Sequence, residues 1–207
     1  MYKLYDGIGT GGACVHAALE QIGAAYEKVL VDTEKSEQKS DWFTKINPRQ
    51  QVPALVLDDG TAMTESAAML LYLADAHPEA GLMGKPGTSA RASTMRWIVF
   101  ISANIYEGLL REYYADRYID DPALAGNVTK SAVDFLKRNY KILEEAAAGG
   151  PFFSGDSMTI VDIYLWMLLQ WWDYPDWLTS ECPKLCTLVE AVKTSPKIGP
   201  VHKIHFG

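Results

Sequence analysis

The amino-terminal segment places a glycine-rich loop between a short strand and a helix, and this order constrains the fold more than any other feature. Tyr2–Tyr5 is a short, largely apolar run, and the loop 6–12 that follows contains four glycines. Apolar residues then recur at helical spacing from Val15 to Ile22, Gly23 is a candidate helix cap, and Val29–Val31 is a second apolar run. This order predicts a right-handed crossover and a parallel strand pair.

The next segment extends this unit into a small α/β domain. A polar, helix-like stretch covers 39–46, and a strand begins at or just after Pro53. Asp58-Asp59-Gly60 is a strong hairpin signal, so the strand near Thr61–Met63 is predicted to return antiparallel. A helix with apolar residues at helical spacing then runs from Glu65 to about His77. The predicted order is strand, helix, strand, helix, strand, strand, helix.

The hydrophobic pattern changes after this helix, where proline and glycine accumulate. We predict an α/β domain over residues 1–78, a linker over 79–88 and a second domain over 89–207. Long helical patterns in the second domain cover 90–118, 123–148, 160–172 and 185–193. No strand pattern persists there, so the second domain is predicted to be an all-α helical bundle.

Charge, composition and hydropathy exclude several classes of protein. The 19 basic and 26 acidic residues give a formal net charge of −7, which opposes binding to a polyphosphate backbone, so we expect no nucleic acid partner. The 48% of apolar residues indicates a folded chain. No secretory leader pattern precedes the first strand, and no apolar window of about 18 residues is present. We therefore expect a cytoplasmic protein without a membrane partner.

The cysteine and histidine content predicts neither disulfides nor a metal site. Cys14, Cys182 and Cys186 are too few for a disulfide scaffold, and no Cys-x-x-Cys pair is present. The four histidines offer no ligand pair at zinc-finger spacing. We expect reduced thiols and no metal.

Thr159-Ile160-Val161-Asp162 matches the pattern of a helix capping box. The Thr159 hydroxyl is predicted to accept from the Asp162 amide, while the Asp162 carboxylate accepts from the Thr159 amide. We interpret this motif as a structural element of the helical bundle rather than as a catalytic site.

The glycine-rich loop is a candidate ligand site because it follows the carboxyl end of the first strand. The helix that starts near Gly12 presents free amides and the positive end of its dipole, which favour an anion such as a thiolate. Tyr5 and Thr10 flank the loop and carry hydroxyl groups. A Gly-x-x-x-x-Gly-Lys motif is absent, so we do not predict a phosphate-binding loop.

Two further sites precede a strand and a helix. Pro53 can form a cis bond, which would leave the amide and carbonyl of Val52 open to an extended peptide. At Glu65-Ser66, helix amides and the Ser66 hydroxyl could hold a carboxylate, and the Glu65 side chain an ammonium group. This pair suits an amino-acid head group, although both residues could equally be simple helix caps.

Taken together, the glycine-rich loop, the Val52-Pro53 segment and the Glu65-Ser66 segment resemble those of a known protein family. The supporting segments are Leu4-Tyr5 with the glycine-rich loop, Asn47-Pro48-Arg49-Gln50-Gln51-Val52-Pro53-Ala54-Leu55, and Thr64-Glu65-Ser66-Ala67-Ala68-Met69-Leu70-Leu71-Tyr72-Leu73. With the capping box of the helical half, they make the chain resemble the cytosolic glutathione transferases, in a bacterial form, over essentially its full length. The resemblance implies a thioredoxin-like domain packed on a helical domain, glutathione as cosubstrate, and a homodimer.

The resemblance also implies a set of glutathione contacts. In the family, a backbone edge beside a cis proline pairs with the cysteinyl part of glutathione, and a Glu-Ser pair holds the γ-glutamyl end. These roles carry over to Val52, Pro53, Glu65 and Ser66. Gln51 matches the position that flanks the glycyl end, and Gln50 replaces a more usual glycine.

Members of this family differ in the residue that stabilises the glutathione thiolate. Lowering the pKa of a thiol raises the fraction that is ionised at neutral pH. The resemblance leaves Thr10 and Tyr5 as alternative donors, and we favour Thr10, assisted by the Gly11 and Gly12 amides. Cys14 is a further alternative, because some bacterial members use a cysteine in this loop. It shares a helix face with apolar neighbours, which favours a packing role.

The acceptor side of the reaction is expected between the domains. Ile8, Tyr106 and Trp166 are predicted to line a pocket for a small hydrophobic electrophile, and Asn104 to touch glutathione on the partner subunit. The predicted function is a glutathione transferase that ionises bound glutathione and directs the thiolate onto the electrophile in detoxification. The alternatives are thiol–disulfide exchange through Cys14 and a non-catalytic glutathione-binding scaffold.

Overall fold

The computed structural model describes all 207 residues, and its amino-terminal half contains a four-stranded mixed sheet. The strands are β1 (Tyr2–Asp6), β2 (Tyr26–Leu30), β3 (Ala54–Val56) and β4 (Ala62–Met63). Their order is β2-β1-β3-β4. β1 pairs in parallel with β2 and antiparallel with β3, and β3 pairs antiparallel with β4. The predicted parallel pair and the predicted hairpin are both confirmed.

Three helices cover this sheet, and they are α1 (Gly12–Ile22), α2 (Asp41–Thr44) and α3 (Ser66–Ala76). Gly23 ends α1 with a φ of 81°, a left-handed conformation that favours glycine. Side chains alternate along β1, so Leu4 joins the main core with α1 while Tyr5 packs against Phe43 of α2. This alternation decides which side chains of β1 can reach the loop before α1.

The carboxyl-terminal half is entirely helical. Its helices are α4 (Ser89–Phe100), α5 (Glu107–Tyr113), α6 (Ala125–Ala146), α7 (Ile160–Leu169), α8 (Pro175–Glu181), α9 (Pro183–Lys193) and α10 (Gly199–Phe206). The short 3₁₀ turns of the chain are Glu37–Lys39, Pro78–Ala80, Ala115–Tyr118 and Pro122–Leu124. The predicted fold class, an α/β domain followed by an all-α bundle, is confirmed.

The observed helices differ from the predicted ones in two respects. The single helix predicted over 90–118 is divided, because a π-helical segment, Ile101–Tyr106, joins α4 to α5. Such segments redirect the side chains that follow, often at functional sites, and hydrophobic periodicity does not reveal them. The sequence also gave no prediction for α8 and α10, since they have only 7 and 8 residues and a short helix shows little periodicity.

The two halves share one hydrophobic core. A single cluster of 41 buried residues contains side chains of both halves. α1 packs against α7 and α10, and α3 packs against α7. The amino end of α1 therefore lies where both halves can position it. None of the helices combines the length and the apolar character that crossing a membrane requires.

The predicted capping box at the start of α7 is present. The Asp162 carboxylate accepts from the Thr159 amide at 2.7 Å and from the Thr159 hydroxyl at 2.8 Å. It also accepts from the Phe153 amide at 2.6 Å, which ties the preceding loop to the helix. The Thr159 hydroxyl accepts from the Asp162 amide, as predicted, and also from the amide of Val161, at 3.3 Å. Burial raises the pKa of Asp162, and the backbone donors oppose that shift.

Candidate active site

A cleft opens where the amino end of α3 faces the π-helical segment and α7. Its wall from the α/β domain consists of Asn47, Arg49, Gln51, Val52, Pro53, Thr64, Glu65, Ser66 and Ala67. Its wall from the helical domain consists of Ser102, Tyr106, Glu107, Leu110 and Tyr164. The structure therefore brings the predicted contacts of the Val52 and Glu65 segments together on one wall, with Tyr106 opposite.

The wall at Val52 offers an open backbone edge. The Val52–Pro53 peptide bond is cis, as the sequence indicated. Neither the N–H nor the C=O of Val52 takes part in a backbone hydrogen bond. The carbonyl of Gln51 accepts from Asn47 Nδ2 at 2.6 Å, which fixes the preceding residue. An extended peptide could pair with this edge through both main-chain groups of Val52.

The amino end of α3 combines a free helix terminus with a carboxylate. Glu65 precedes the helix with φ 65° and ψ 102°, a strained conformation for a residue with a side chain. No side chain caps α3, so its first amides remain free for an anionic group. Arg49 Nη1 donates to Glu65 Oε1 at 2.8 Å, and Ser66 Oγ donates to Tyr164 Oη at 3.4 Å. This arrangement suits a zwitterionic head group.

Thr10 stabilises the glycine-rich loop rather than lining the cleft. Its hydroxyl donates to the Gly7 carbonyl at 2.8 Å, lies 3.2 Å from Asp6 Oδ1, and accepts from the Gly12 amide at 3.3 Å. A hydroxyl has one proton, so Thr10 could donate to a thiol only by giving up a loop contact. Thr10 is therefore replaced as the candidate direct donor. The Gly12 amide is also engaged, whereas the Gly11 amide makes no backbone hydrogen bond.

Tyr5 points away from the cleft and is also corrected as a donor. Its ring centroid lies 6.0 Å from that of Trp42 and 6.2 Å from that of Phe43. Lys3 Nζ lies 5.7 Å from the centroid of the same ring. Tyr5 is not among the residues that line the cleft. The period of two along a strand places it on the face opposite Leu4 and α1.

A hydroxyl group from the helical domain lies over the amino end of α1. A Cβ atom built on Gly11 would lie 2.6 Å from Tyr106 Oη and 3.5 Å from Pro53 Cδ. Burial raises the pKa of Tyr106 above its ordinary value, so the hydroxyl keeps its proton at neutral pH and can donate it in a hydrogen bond. The Tyr106 hydroxyl thus lies next to Gly11, where Pro53 borders the cleft.

Cys14 lies in the first turn of α1 and is fully buried. Its Sγ donates to the Gly11 carbonyl at 3.3 Å. Burial, and to a smaller extent the charge of Asp6, raises the pKa of the Cys14 thiol. A buried thiol with a raised pKa is a poor nucleophile. This placement supports the packing role and speaks against thiol–disulfide exchange.

We expect Cys14 to resist alkylation in the folded protein. Iodoacetamide at about pH 8 should modify the half-buried Cys186 first, while Cys14 and Cys182 react only after denaturant is added, since burial protects both thiols and raises their pKa. Mass spectrometry of the digested protein assigns each modification to its site. Rapid modification of Cys14 in the folded protein would contradict this expectation.

The predicted acceptor pocket is only partly assembled. Trp166 is 0% exposed and packs against His202 and Phe206 of α10, so the assignment of Trp166 to this pocket was wrong. Ile8 is 50% exposed and lies outside the cleft lining. The Asn104 side chain donates to a main-chain carbonyl one turn earlier, at 2.9 Å, and its contact with a partner subunit stays a prediction.

The structure adds cleft residues that the sequence reading did not single out. These are Ser102, Glu107 and Leu110. Ser102 and Leu110 each lie four residues from the predicted Tyr106, which places all three on one helix face, and Glu107 lies beside them. That spacing was visible in the sequence. The face of a helix that borders a cleft is decided by packing, however, so the spacing alone did not single it out. Arg49 was noted only as part of a longer motif.

A buried cluster of Asp6, His16 and His205 lies beside the glycine-rich loop. His205 Nε2 lies 3.0 Å from His16 Nδ1 and 3.4 Å from Asp6 Oδ2. Burial lowers the pKa of His205 to about 3 and that of His16 to about 4, so both rings are neutral at neutral pH. The Gly9 amide donates to His205 Nδ1 at 3.3 Å, which leaves the ring proton on Nε2.

The tautomer of His205 distinguishes a metal site from a hydrogen-bonded chain. The three side chains offer ligand atoms within 4.8 Å of one another, as a metal site would. A metal ion at Nε2 of His205 would move the ring proton to Nδ1, where the Gly9 amide already donates. The geometry therefore favours a hydrogen-bonded chain that holds the loop.

Comparison with protein-family models gave a match in each half of the chain. Residues 1–75 match the model described as the glutathione S-transferase N-terminal domain, and residues 111–200 match the glutathione S-transferase C-terminal domain. Among curated proteins, the chain is 31% identical over 174 residues to glutathione S-transferase GstA of Escherichia coli. That alignment covers 82% of this chain and 81% of the relative.

Solved structures with the same fold extend the similarity to nearly the whole chain. A glutathione transferase homologue from Sulfitobacter with bound glutathione is 26% identical with a TM-score of 0.88, covering 98% of this chain and 97% of the other. A glutathione transferase from Methylococcus capsulatus is 31% identical with a TM-score of 0.82, covering 98% of both chains.

Proposed function

The chain belongs to the glutathione S-transferase family, and from this premise we propose that it binds glutathione in the cleft, ionises the thiol and transfers the thiolate to a small hydrophobic electrophile. The observation that carries the proposal is the position of Tyr106 Oη over Gly11, at the amino end of α1. The glutathione bound in the similar Sulfitobacter protein supports the choice of cosubstrate.

The tripeptide binds along the wall of the α/β domain. The N–H and C=O of Val52 pair with the cysteinyl residue, as in the addition of a strand to a sheet edge. The γ-glutamyl ammonium binds the Glu65 carboxylate, and the γ-glutamyl carboxylate binds the amino end of α3 and Ser66. Gln51 flanks the glycyl end. The unpaired main-chain groups of Val52 and the uncapped α3 support this arrangement.

The sulfur binds at the amino end of α1. There the Gly11 amide and the Tyr106 hydroxyl donate to it, and the helix dipole adds a positive potential. These groups stabilise the thiolate and lower the pKa of the bound thiol below its ordinary value of about 8.5. The thiol proton leaves to solvent. The thiolate then forms a carbon–sulfur bond with the electrophile, whose leaving group departs with the electron pair of the broken bond.

The electrophile lies against the wall of the helical domain. Leu110 and the ring of Tyr106 supply apolar surface there, and Ser102 and Glu107 supply polar groups. The acceptor is thereby held next to the sulfur, which converts a bimolecular step into a reaction between positioned groups.

Calorimetry with glutathione, followed by turnover of a reactive aryl halide, tests this function. We expect binding of glutathione and conjugation of the halide by the unmodified protein. Absence of any heat of binding at about millimolar glutathione, on folded protein, would refute the proposal. Binding without turnover of a broad panel of electrophiles would indicate a non-catalytic scaffold instead.

We expect Glu65→Gln to raise the Kd for glutathione. The substitution removes the charge that binds the γ-glutamyl ammonium, and such charge-assisted hydrogen bonds are worth about 1.5 to 3 kcal/mol, which corresponds to a loss of about tenfold or more. Calorimetry measures the change. The kcat at saturating glutathione should change little, because Glu65 does not touch the sulfur.

Glu34→Gln is the matched control for this charge removal, because Glu34 is exposed and lies outside the cleft. Its Kd should equal that of the unmodified protein. An unchanged Kd in Glu65→Gln would contradict the assigned role of Glu65.

We also propose that the protein forms a homodimer. Met95 and Val99 of α4 are 46% and 61% exposed, and one face of α4 therefore carries apolar side chains that a second copy can cover. Asn104 reaches glutathione of the partner in this arrangement. Analytical ultracentrifugation tests the proposal, and a monomer at micromolar concentration would overturn it.

A further inference from the structure

We infer that Trp171 is a positioning residue for the thiol site, which consists of the Gly11 amide and the Tyr106 hydroxyl. This inference rests on the proposed function. Trp171 follows the end of α7, and its main-chain carbonyl accepts a hydrogen bond from the Tyr113 hydroxyl. Its indole contacts two parts of the thiol site at once. One part belongs to the α/β domain and the other to the helical domain.

The first contact is with the glycine-rich loop. Trp171 Nε1 donates to the Gly9 carbonyl at 3.0 Å, and the Gly9 amide donates to His205 Nδ1 at 3.3 Å. Both main-chain polar atoms of Gly9 are therefore held by side chains of the helical domain. Gly9 has φ 68°, and a Cβ there would lie 3.5 Å from the His205 carbonyl, so the contact occurs in a conformation that favours glycine.

The position of Gly9 affects the amide proposed to bind the sulfur. Gly9 lies two residues before Gly11, in a loop whose Thr10 amide donates to the Gly7 carbonyl at 3.3 Å. The Ala13 amide donates in turn to the Thr10 carbonyl at 3.1 Å. Because these bonds connect the loop to the first turn of α1, a displacement of Gly9 also displaces the Gly11 amide.

The second contact is with the proposed thiol donor. The indole of Trp171 and the ring of Tyr106 meet at 87° with centroids 5.5 Å apart, a favourable edge-to-face geometry. The hydrogen bond to Gly9 fixes the orientation of the indole, since Nε1 is its only donor. The fixed indole then limits the rotation of Tyr106. Trp171 thereby sets the Gly11 amide and the Tyr106 hydroxyl at a defined separation, although they belong to different domains.

The next residue in the chain provides a matched control. Trp172 is 5% exposed and packs against Tyr140 and Tyr174, with centroids 5.0 and 4.9 Å apart. Its Nε1 has no hydrogen-bond partner. Replacing either tryptophan by phenylalanine removes the same atoms from the side chain, but only Trp171→Phe removes a contact with the thiol site.

The test compares Trp171→Phe and Trp172→Phe by the pH dependence of kcat/KM for an aryl halide. We expect Trp171→Phe to raise the apparent pKa of the bound thiol by about half a unit to one unit and to lower kcat/KM about tenfold at neutral pH. The Kd for glutathione should stay within about twofold, because the Val52 and Glu65 contacts remain. Trp172→Phe should lower the Tm and leave the pH profile unchanged.

A double variant shows whether Trp171 acts through Tyr106. Tyr106→Phe combined with Trp171→Phe should lose less than the product of the two single losses, because coupled residues are not additive, and the loss beyond Tyr106→Phe alone measures the effect on the Gly11 amide. If Trp171→Phe does not fold, Trp171→Leu also removes the donor to Gly9 and keeps an apolar side chain, and the same shift is expected.

If the parent protein is active and folded Trp171→Phe has the same pH dependence of kcat/KM, the positioning role is refuted. The proposed function then remains intact. A parent protein that neither binds glutathione nor turns over the halide would refute the proposed function itself.

Discussion

Replacing Tyr106 by phenylalanine is expected to lower kcat/KM for conjugation about 10- to 100-fold at neutral pH, because a hydrogen bond to a charged acceptor is worth about 1.5 to 3 kcal/mol. The ring remains, so its packing against Trp171 is kept. The apparent pKa of the bound thiol should rise by about one to two units, since the lost donor stabilised only the thiolate. Activity should therefore recover as the pH is raised. The pH profile of kcat/KM measures both effects.

Tyr5→Phe is the control for this variant, because it deletes the same hydroxyl from a tyrosine that packs against α2 outside the cleft. Its pH profile should match that of the parent protein. A large effect of Tyr5→Phe together with none of Tyr106→Phe would show that the donor comes from β1 and would refute the assignment made from the structure.

Asp162→Ala is expected to destabilise the protein strongly. The Asp162 carboxylate is 0% exposed and accepts from two main-chain amides and the Thr159 hydroxyl, and its removal leaves these donors without partners. We expect a loss of about 3 to 5 kcal/mol in the free energy of unfolding, and a fall in Tm of about 6 to 20 °C for a chain of this size. Urea denaturation and calorimetry measure the two quantities.

Asp162→Asn should lose less, because it keeps one acceptor oxygen. Asp134→Ala is the control, since this acidic residue is exposed on α6, and it should change the stability by no more than about 0.5 kcal/mol. A Tm of Asp162→Ala equal to that of the control would show that the capping box contributes little to the stability of the bundle.

The sequence predicted some parts of the thiol site and not others. The glycine-rich loop and the open Val52 edge follow from local patterns, because helix termini, turns and strand edges depend on neighbouring residues. The choice of donor did not follow. Thr10 is closer in sequence to the helix terminus than any other hydroxyl, yet its single proton is engaged by the loop itself. The hydroxyl over Gly11 comes from Tyr106, which lies 95 positions further along the chain.

The acceptor side shows the same limit. A tryptophan cluster in the sequence is compatible with a pocket and with a core, since both bury aromatic surface. Trp166 lies in the core, whereas Trp171 has one edge on the loop. Both residues belong to the same aromatic stretch, and only the packing of α7 against α1 and α10 separates their roles.

The sequence motifs identified the family by resemblance. The sequence by itself also determined the order of strands and helices in the α/β domain, the parallel first pair, the hairpin and the capping box. These features depend on periodicity, turn residues and caps, all of which act over a few neighbouring positions. Only the tertiary structure decided which hydroxyl lies over the amino end of α1, which face of the π-helical segment borders the cleft, and that His205 and Trp171 hold Gly9. Those relations join residues far apart in the chain, and they arise from the packing of two domains around one core.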